Sequence, residues 1–591
     1  MLARNCGWLL GLVSSVFFLA YSSQVKIAET LSGTAQSSTV ESTGLLSGGR
    51  TRPTVYAPRP SDSSDPQPRV YVITSLPNIS NYSVLTAKTA SDFQKALSDA
   101  SCANGTVIRL VSGVSYIGNF TLPSQNCHGP NWIVITTDLP ASSLPALGVR
   151  TRPSFSPVLA KILSPNSGPA IQTSPNSNHY LLSNLELGVT ATTALNYGVV
   201  DIGGTEHDPS LLPDHIFFDR CYFHGNSIGG IKYGLQMHGS NVAVFDSYFE
   251  NFHLEGQDSQ AIRAYSTNGP LKIVNNYLEG SGENVMFGGA DPYFNKAVPS
   301  DIEIRHNHFC KPLTWKVDDP SFVKLPDGGH WTVKNLLEFK NANRVLVEGN
   351  VFENNWADAQ TGFAILFTPR NQNGKCPWCV VSNITFRYNL LKHMGSGFNI
   401  AGADDLSMPA TSLGSSNINI HDNLILDVNG PKWGNAGGRL FQILAAARDG
   451  LAPPDNIIID HNTGFATNCA LGTGDIPVSG PTGVVFTNNI LSYGTYGIFG
   501  SGVGSGNAAI SKYFPGSTFA DNLFGDSPSS AKNYPSNFYF PSSWAGVFAV
   551  PYTATDFDPA DYRSISKYST NDGRPIGADV DLIISAIAGA Y

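Results

Sequence analysis

The sequence predicts an all-β fold, and within that class a parallel β-helix: one long solenoid in place of several compact domains. Only 14% of the 591 residues are charged and 58 are Gly, with Asn, Ser and Thr abundant, which suits short strands joined by many turns. A phrase of the form polar-Asn-x-apolar recurs along the chain, as in FDSYFEN, VNNYLEG, RHNHFCK, VEGNVFEN, RYNLLKH, HDNLILD and TNNILSY. Aligned on its third polar position it gives Cys221, Ser247, Asn276, Asn307, Asn350, Asn389, Asn423, Asn462, Asn489 and Asn522, at spacings of 26 to 43 residues, the range of solenoid repeats.

Each segment follows in order. Residues 1–22 read as a signal peptide: Arg4 is positive, Trp8 to Tyr21 is apolar, and Ala20-Tyr21-Ser22 offers a small-x-small cleavage site. About 14 mostly apolar residues fall short of the ~20 that span a bilayer, so no membrane span is expected after cleavage and the mature protein is expected outside the cell or in a periplasm. Residues 23–69, rich in Ser, Thr, Pro and Gly, read as a flexible linker. In SDFQKALSDA the apolar spacing Phe93, Ala96, Leu97, Ala100 predicts a short helix, with Ser91 as N-cap, capping the open end of the stack. The solenoid is expected over 70–525. Residues 526–591 lack the repeated phrase and are expected to pack along or over the last coils.

The repeated Asn is read as structural. A bend between strands needs a residue tolerant of the left-handed region, and stacked amides hydrogen-bond from coil to coil. Inward Val, Ile, Leu and Phe fill the core, with strands stacked at roughly 4.8 Å. Of eight cysteines, Cys6 leaves with the signal, and Cys102 and Cys127 bracket a segment that a disulfide closes in an oxidising compartment. Cys376 and Cys379, in CPWC, have no partner pair at zinc spacing and read as a loop staple or free thiols. Seven cysteines in the mature chain leave at least one free thiol. The formal charge is -9 without any Lys/Arg run, which excludes nucleic acid as an expected partner. A monomer is expected.

The segments FQKALSDA and TVIRLVSG, the Asn ladder and the closing GRPIGADVD resemble the pectate-lyase-like β-helix superfamily, over most of the span from Val70 onward. The resemblance implies a right-handed coil with three parallel sheets per turn, and proteins that bind or cleave acidic polysaccharides, often with calcium. Within it, LLEFKNANRVLVEGNVF is similar to the lysine-bearing strand of the chondroitinase B and alginate lyase group, with Lys340 at the position of that group's base and Arg370 near its arginine. Where that group carries two calcium-binding carboxylates, this chain has Val333 and Asn335.

Strand alternation gives a reading of its own. In NLLEFKN, inward Leu337 and Phe339 leave Glu338 and Lys340 on one outer face. GFAILF is expected to turn Phe363, Ile365 and Phe367 inward, leaving Thr368 and Arg370 outward. GENVMFGGADP places Glu283 and Asp291, and GFNIAGADD places Asp404 and Asp405, on the same sheet; earlier coils expose Gln236, His238 and Arg263. Gly288, Gly289 and Gly402 leave room for a ligand near the backbone or simply make bends. The expected groove thus carries Lys340 as base, Arg370 holding a substrate carboxylate and Glu338 orienting them. Glu283, Asp291 and Asp404 are expected calcium ligands. His238, Arg263 and Trp356 are expected to contact the glycan, with Trp315, Trp331 and Trp378 also on loops beside these coils. The leading expectation is a lyase acting on a uronate-containing acidic polysaccharide by β-elimination. The alternatives are a glycoside hydrolase using paired carboxylates on the same groove and a non-catalytic glycan-binding protein.

Overall fold

The structure, a computed structural model, describes residues 62, 64–127, 129–404, 411–446, 451–474, 480–550 and, apart from 554, 556, 566, 569 and 571, residues 552–591. The expected signal peptide, most of the linker and Asp405 lie outside the described residues.

Three long sheets make the body. Sheet A has 14 strands, from Ser83–Ala87 to Thr518–Ala520; sheet B has 13, from Ser115–Ile117 to Leu523–Gly525; sheet C has 12, from Phe120–Leu122 to Ile498–Gly500. Each coil runs A to B to C, and within each sheet a strand pairs in parallel with its counterparts one coil before and after. The helix Ala90–Asp99 is capped by Thr89 in a capping box with Asp92, and not by Ser91 as the sequence suggested. It packs Phe93, Ala96 and Leu97 into the core, with the Phe93 ring 4.8 Å from that of Phe120 on the first strand of sheet C.

The ladder lies at the bend from A to B. Asn276, Asn307, Asn350, Asn389, Asn423, Asn462, Asn489 and Asn522 are fully buried, and each amide nitrogen but that of the last donates to the next Asn Oδ1 at 2.8–3.1 Å. That same oxygen also accepts the preceding rung's backbone N–H, as Asn389 Oδ1 does from Asn350. One expectation is corrected: the left-handed residue is the one before each ladder Asn, namely Asn275, His306, Gly349, Tyr388, Asp422, His461, Asn488 and Asp521. The ladder Asn is needed for its amide, which satisfies backbone groups that the bend would orphan. A second left-handed column, including His179, His215, Asn241, Asp301, Arg344, Asn383, Asn417 and Asn456, opens the strands of sheet A. Both columns put a kink at a corner, so the strands between stay straight.

Two outer faces are covered by the chain itself. On sheet A, order begins before Val70: Asp62 and Asp65 dock on Tyr388, Arg387, Asn419 and His421, Arg69 N donates to Asp301 Oδ1 at 2.8 Å, and Val72 and Ile79 pack on Trp132, Val134, Phe217 and Phe245. This strap runs back along several coils, held by ion pairs that a polar, Pro-rich composition conceals. On sheet B, Trp544, Phe548, Tyr562 and the helix Val580–Ile587 cover Val351, Leu390, Leu424, Ile490 and Leu523. Among the described residues, no helix is long and apolar enough to cross a membrane.

Candidate active site

Sheet C carries the polar outer face. Parallel register aligns Asp201, Gln236, Arg263, Met286, Glu338, Leu366, Asn399 and Gln442 in one row, one residue per coil. The core takes two consecutive residues near the start of several of these strands, as Ala261-Ile262, Leu336-Leu337 and Ala364-Ile365. That inward pair shifts the alternation by one, so Phe363 lies outside the core cluster, contrary to its expected inward position, while Ile365 and Phe367 face in as expected. It also splits the expected single column: Glu283 shares a row with Gln260 and Asn335, beside the row of Arg263 and Glu338.

At the C-terminal ends of three successive strands, Asn335–Phe339, Phe363–Phe367 and Ser396–Ala401, four charged groups meet. Lys340 Nζ lies 2.9 Å from Glu338 Oε1 and 2.9 Å from Asp404 Oδ2, and donates to Thr368 Oγ1 at 2.9 Å. The Arg370 guanidinium donates to the same Asp404 oxygen, and its Nε reaches the Asp404 carbonyl at 3.2 Å. Backbone bonds fix the corner: Arg370 N to Lys340 O at 3.0 Å and Asp404 N to Pro369 O at 2.8 Å. Glu338 and Lys340 form the buried floor, whereas the Arg370 and Asp404 side chains keep 30% and 22% of their surface open to solvent. Any ligand therefore meets Arg370 and Asp404 first.

Behind the floor, Asn335 Nδ2 donates to Glu338 Oε2 at 2.9 Å, and Gln260 donates to Glu283. Burial, reinforced by the nearby Glu338 carboxylate, pushes Glu283 up to about 8, well above the usual carboxylate range. Gly288 has a structural explanation: at φ +90° a Cβ there would meet Asn341 N at 2.5 Å. Gly402 likewise abuts the carbonyl of Ala452, so both glycines serve coil-to-coil packing.

Upstream on the same face, the Arg263 guanidinium stacks 3.9 Å from the Tyr233 ring centroid and 4.7 Å from that of Tyr265, whose hydroxyl donates to Tyr293 at 3.2 Å. The sequence offered Arg263 but not these tyrosines or Asp201: alternation in YGLQM puts Tyr233 with inward Leu235 and Met237, whereas the inward shift at the start of the strand turns it outward.

Three expectations need correction. His238 is 1% exposed and its Nδ1 faces the backbone N–H groups of Tyr265 and Ser266 at 3.4 Å, so it braces a corner and does not face solvent. Burial, with Arg263 nearby, holds it well below the usual histidine range. Trp356 packs with Trp315, Leu325, Trp331, Val333 and Trp433 in a loop core, because apolar rings on long excursions bury one another before they meet a ligand. The calcium ligands do not converge: Asp291 accepts Asn373 N and Lys375 N at 3.0 Å each, Asp404 is taken by Lys340 and Arg370, and Glu283 by Gln260. These three residues do not fit one calcium ion.

The expected Cys102–Cys127 disulfide is formed, with Cα atoms 5.8 Å apart, and Cys376–Cys379 staples the loop after Arg370. Cys221, Cys310 and Cys469 are free thiols.

No protein-family model and no curated protein matches the chain. Among solved structures it is similar to the PL6 family alginate lyase AlyGC, at 14% identity and a TM-score of 0.44, over 86% of this chain and 59% of AlyGC. It is similar also to a mannuronic acid specific polysaccharide family 6 lyase from human gut microbiota, at 13% identity and a TM-score of 0.43, over 78% of this chain and 92% of that one. Pectate lyase Pel9A matches at 12% identity and a TM-score of 0.32, over 58% of this chain and 76% of the lyase. The match thus spans less than two thirds of AlyGC. The architecture rests on the three sheets themselves: the chain is a right-handed parallel β-helix.

Proposed function

We propose that this protein is an exported polysaccharide lyase that cleaves a uronate-containing glycan by β-elimination on the outer face of sheet C. The observation that carries the reading is the convergence of Lys340 and Arg370 on one carboxylate oxygen of Asp404 at the open lip of the groove. Two cations arranged for a carboxylate suit the capture of a uronate, and Arg370, which keeps its charge throughout, neutralises the carboxylate so that the C5 proton becomes acidic. In this proposal the substrate carboxylate displaces that of Asp404. Glu338 then takes the Lys340 proton, and the neutral amine removes the C5 hydrogen. The C4–O bond breaks as the C4=C5 double bond forms, and the leaving oxygen receives the proton back from Lys340. Asp404 stands between Lys340 and Arg370, so the proton exchange falls to Glu338. No step is assigned to calcium. The two disulfides support the export reading, since such bonds persist in oxidising compartments.

A second reading, glycoside hydrolysis, has one observation in its favour: Glu283, buried and shifted upward, sits on the row beside Glu338 as the acid of an acid and carboxylate pair would. Incubation of purified protein with pectate, alginate and glycosaminoglycans separates the two. Elimination creates an unsaturated uronate that absorbs ultraviolet light, lost in a folded Lys340→Ala variant; hydrolysis creates reducing ends without that absorbance. Binding of the glycan with neither product would overturn both.

A further inference from the structure

A second cluster lies on the outer face of sheet B, apart from the groove. In the strand His308–Cys310, Phe309 is buried in the core, so His308 and Cys310 point outward together, and register sets Cys310 opposite Glu353 of the next coil. One ligand atom from each of His308, Cys310 and Glu353 lies within 4.8 Å of the other two, and His308 Nε2 is 3.0 Å from Glu353 Oε2. A tetrahedral zinc ion with bonds of ~2.0–2.3 Å places neighbouring ligand atoms about 3.3–3.8 Å apart, so small side-chain rotations close the set.

The surroundings hold these groups in place. The His308 ring is wedged edge-on between Tyr277, at 5.2 Å, and Tyr591, at 5.5 Å. Lys392 Nζ lies 3.2 Å from Glu353 Oε1, which leaves Oε2 for a different partner. Such an outer contact to a ligating carboxylate is the usual companion of a metal ligand. The chain contains an instructive contrast: Asp62, Asp65 and His421 are equally close together, but there Arg387 lies 2.7 Å from Asp65 and already supplies the cation. In the His308 cluster the lysine approaches one carboxylate oxygen only, and the thiol and imidazole are donors that Lys392 cannot use.

We propose that His308, Cys310 and Glu353 bind one divalent ion of the zinc class, with a fourth position left for water. One nitrogen, one sulfur and one oxygen donor favour a borderline metal over calcium or magnesium, which take oxygen ligands. The ion would link two successive coils beneath Tyr591 and shield a free thiol from oxidation.

The test uses full-length protein stripped of metal with a chelator and titrated with Co2+ alone. The expected result is one ion per chain with a near-ultraviolet thiolate-to-cobalt band, absent in Cys310→Ser, retained in Cys221→Ser and lost on adding Zn2+. Cobalt uptake without a thiolate band, or a band that survives Cys310→Ser, would overturn the site. Should the serine variant fail to fold, alkylation of Cys310 in the unmodified protein, followed by peptide mass spectrometry, decides the matter. Zinc at about 100 times its dissociation constant slows that alkylation on the order of 100-fold if Cys310 is a ligand. Equal rates with and without zinc refute the proposal.

Discussion

Raising the pH should peel the N-terminal strap from sheet A, and His421 sets where. This imidazole is buried, which alone would lower its pKa, but hydrogen bonds to Asp422 and Asp65, each 2.9 Å, outweigh burial and raise it to about 9. Around it stand Asp62, Asp65 and Asp422, with Arg387 and Arg574 as the other cations and Glu348 on the far side of Arg387. Loss of the His421 proton removes one of the three cations that face these carboxylates. Because the folded value exceeds the ordinary 6.5, the stabilisation is complete below about pH 6.5 and disappears as pH rises through 9. Asp422 stays beside His421 when the strap opens, so only the share of the rise that comes from Asp65 acts on the opening equilibrium, which shifts by less than the roughly 300-fold that the whole difference would give. Hydrogen exchange of residues 64–72, corrected for the intrinsic pH dependence of exchange, should show protection falling between pH 7 and 10. His421→Gln should weaken protection at pH 6.5 and remove its pH dependence. Protection that is flat with pH in the unmodified protein, or the same slope in the variant, would refute the reasoning.

Further outcomes follow from the same geometry. Asn389→Ala deletes a rung whose amide serves Val347 O and Asn350 N, among others, and two orphaned buried groups should cost about 2–5 kcal/mol in urea unfolding. Arg370→Ala should abolish elimination with little change in stability, since its side chain is partly exposed, while Asp404→Ala should lower KM for a uronate polymer by removing the internal competitor; steady-state kinetics reads both. Replacing both Cys102 and Cys127 by Ala should cost about 3.5 kcal/mol, and the same change at Cys376 and Cys379 about 2 kcal/mol, because loop entropy grows with the residues enclosed. Trp356→Ala should lower Tm through a cavity worth about 3–5 kcal/mol and leave glycan affinity unchanged, as calorimetry would show.

The solenoid was legible because its repeat is local: the Asn phrase marks each A-to-B bend, and Leu337, Phe339, Val285 and Phe287 alternate inward as a straight strand requires. What escaped the sequence was set by longer range. The inward pairs such as Leu336-Leu337 shift the pleat at a corner, which a uniform period of two cannot show, so Phe363 was misplaced and Glu283 was assigned to the column of Glu338. His238 and Trp356 looked available because each lies near the groove in sequence, yet their partners, Tyr265 and the tryptophans of other loops, come from other coils or excursions. Asp62 and Asp65 read as linker since their stabilisation comes from Arg387 and His421, more than 320 residues away.

Lys340, Arg370 and Asp404 occupy the same corner of three consecutive coils, so their separation is the rise of the spring, not a property of the chain between them. The stretches joining them leave the wall and return to it, and lengthening such an excursion changes the rim of the groove without moving the charged centre. A whole coil inserted after Arg370, by contrast, would carry Asp404 a full strand spacing of about 4.8 Å farther away and uncouple it. The protein therefore sets the spacing of these charges by coil number, which lets the groove's walls be remodelled while that spacing stays constant.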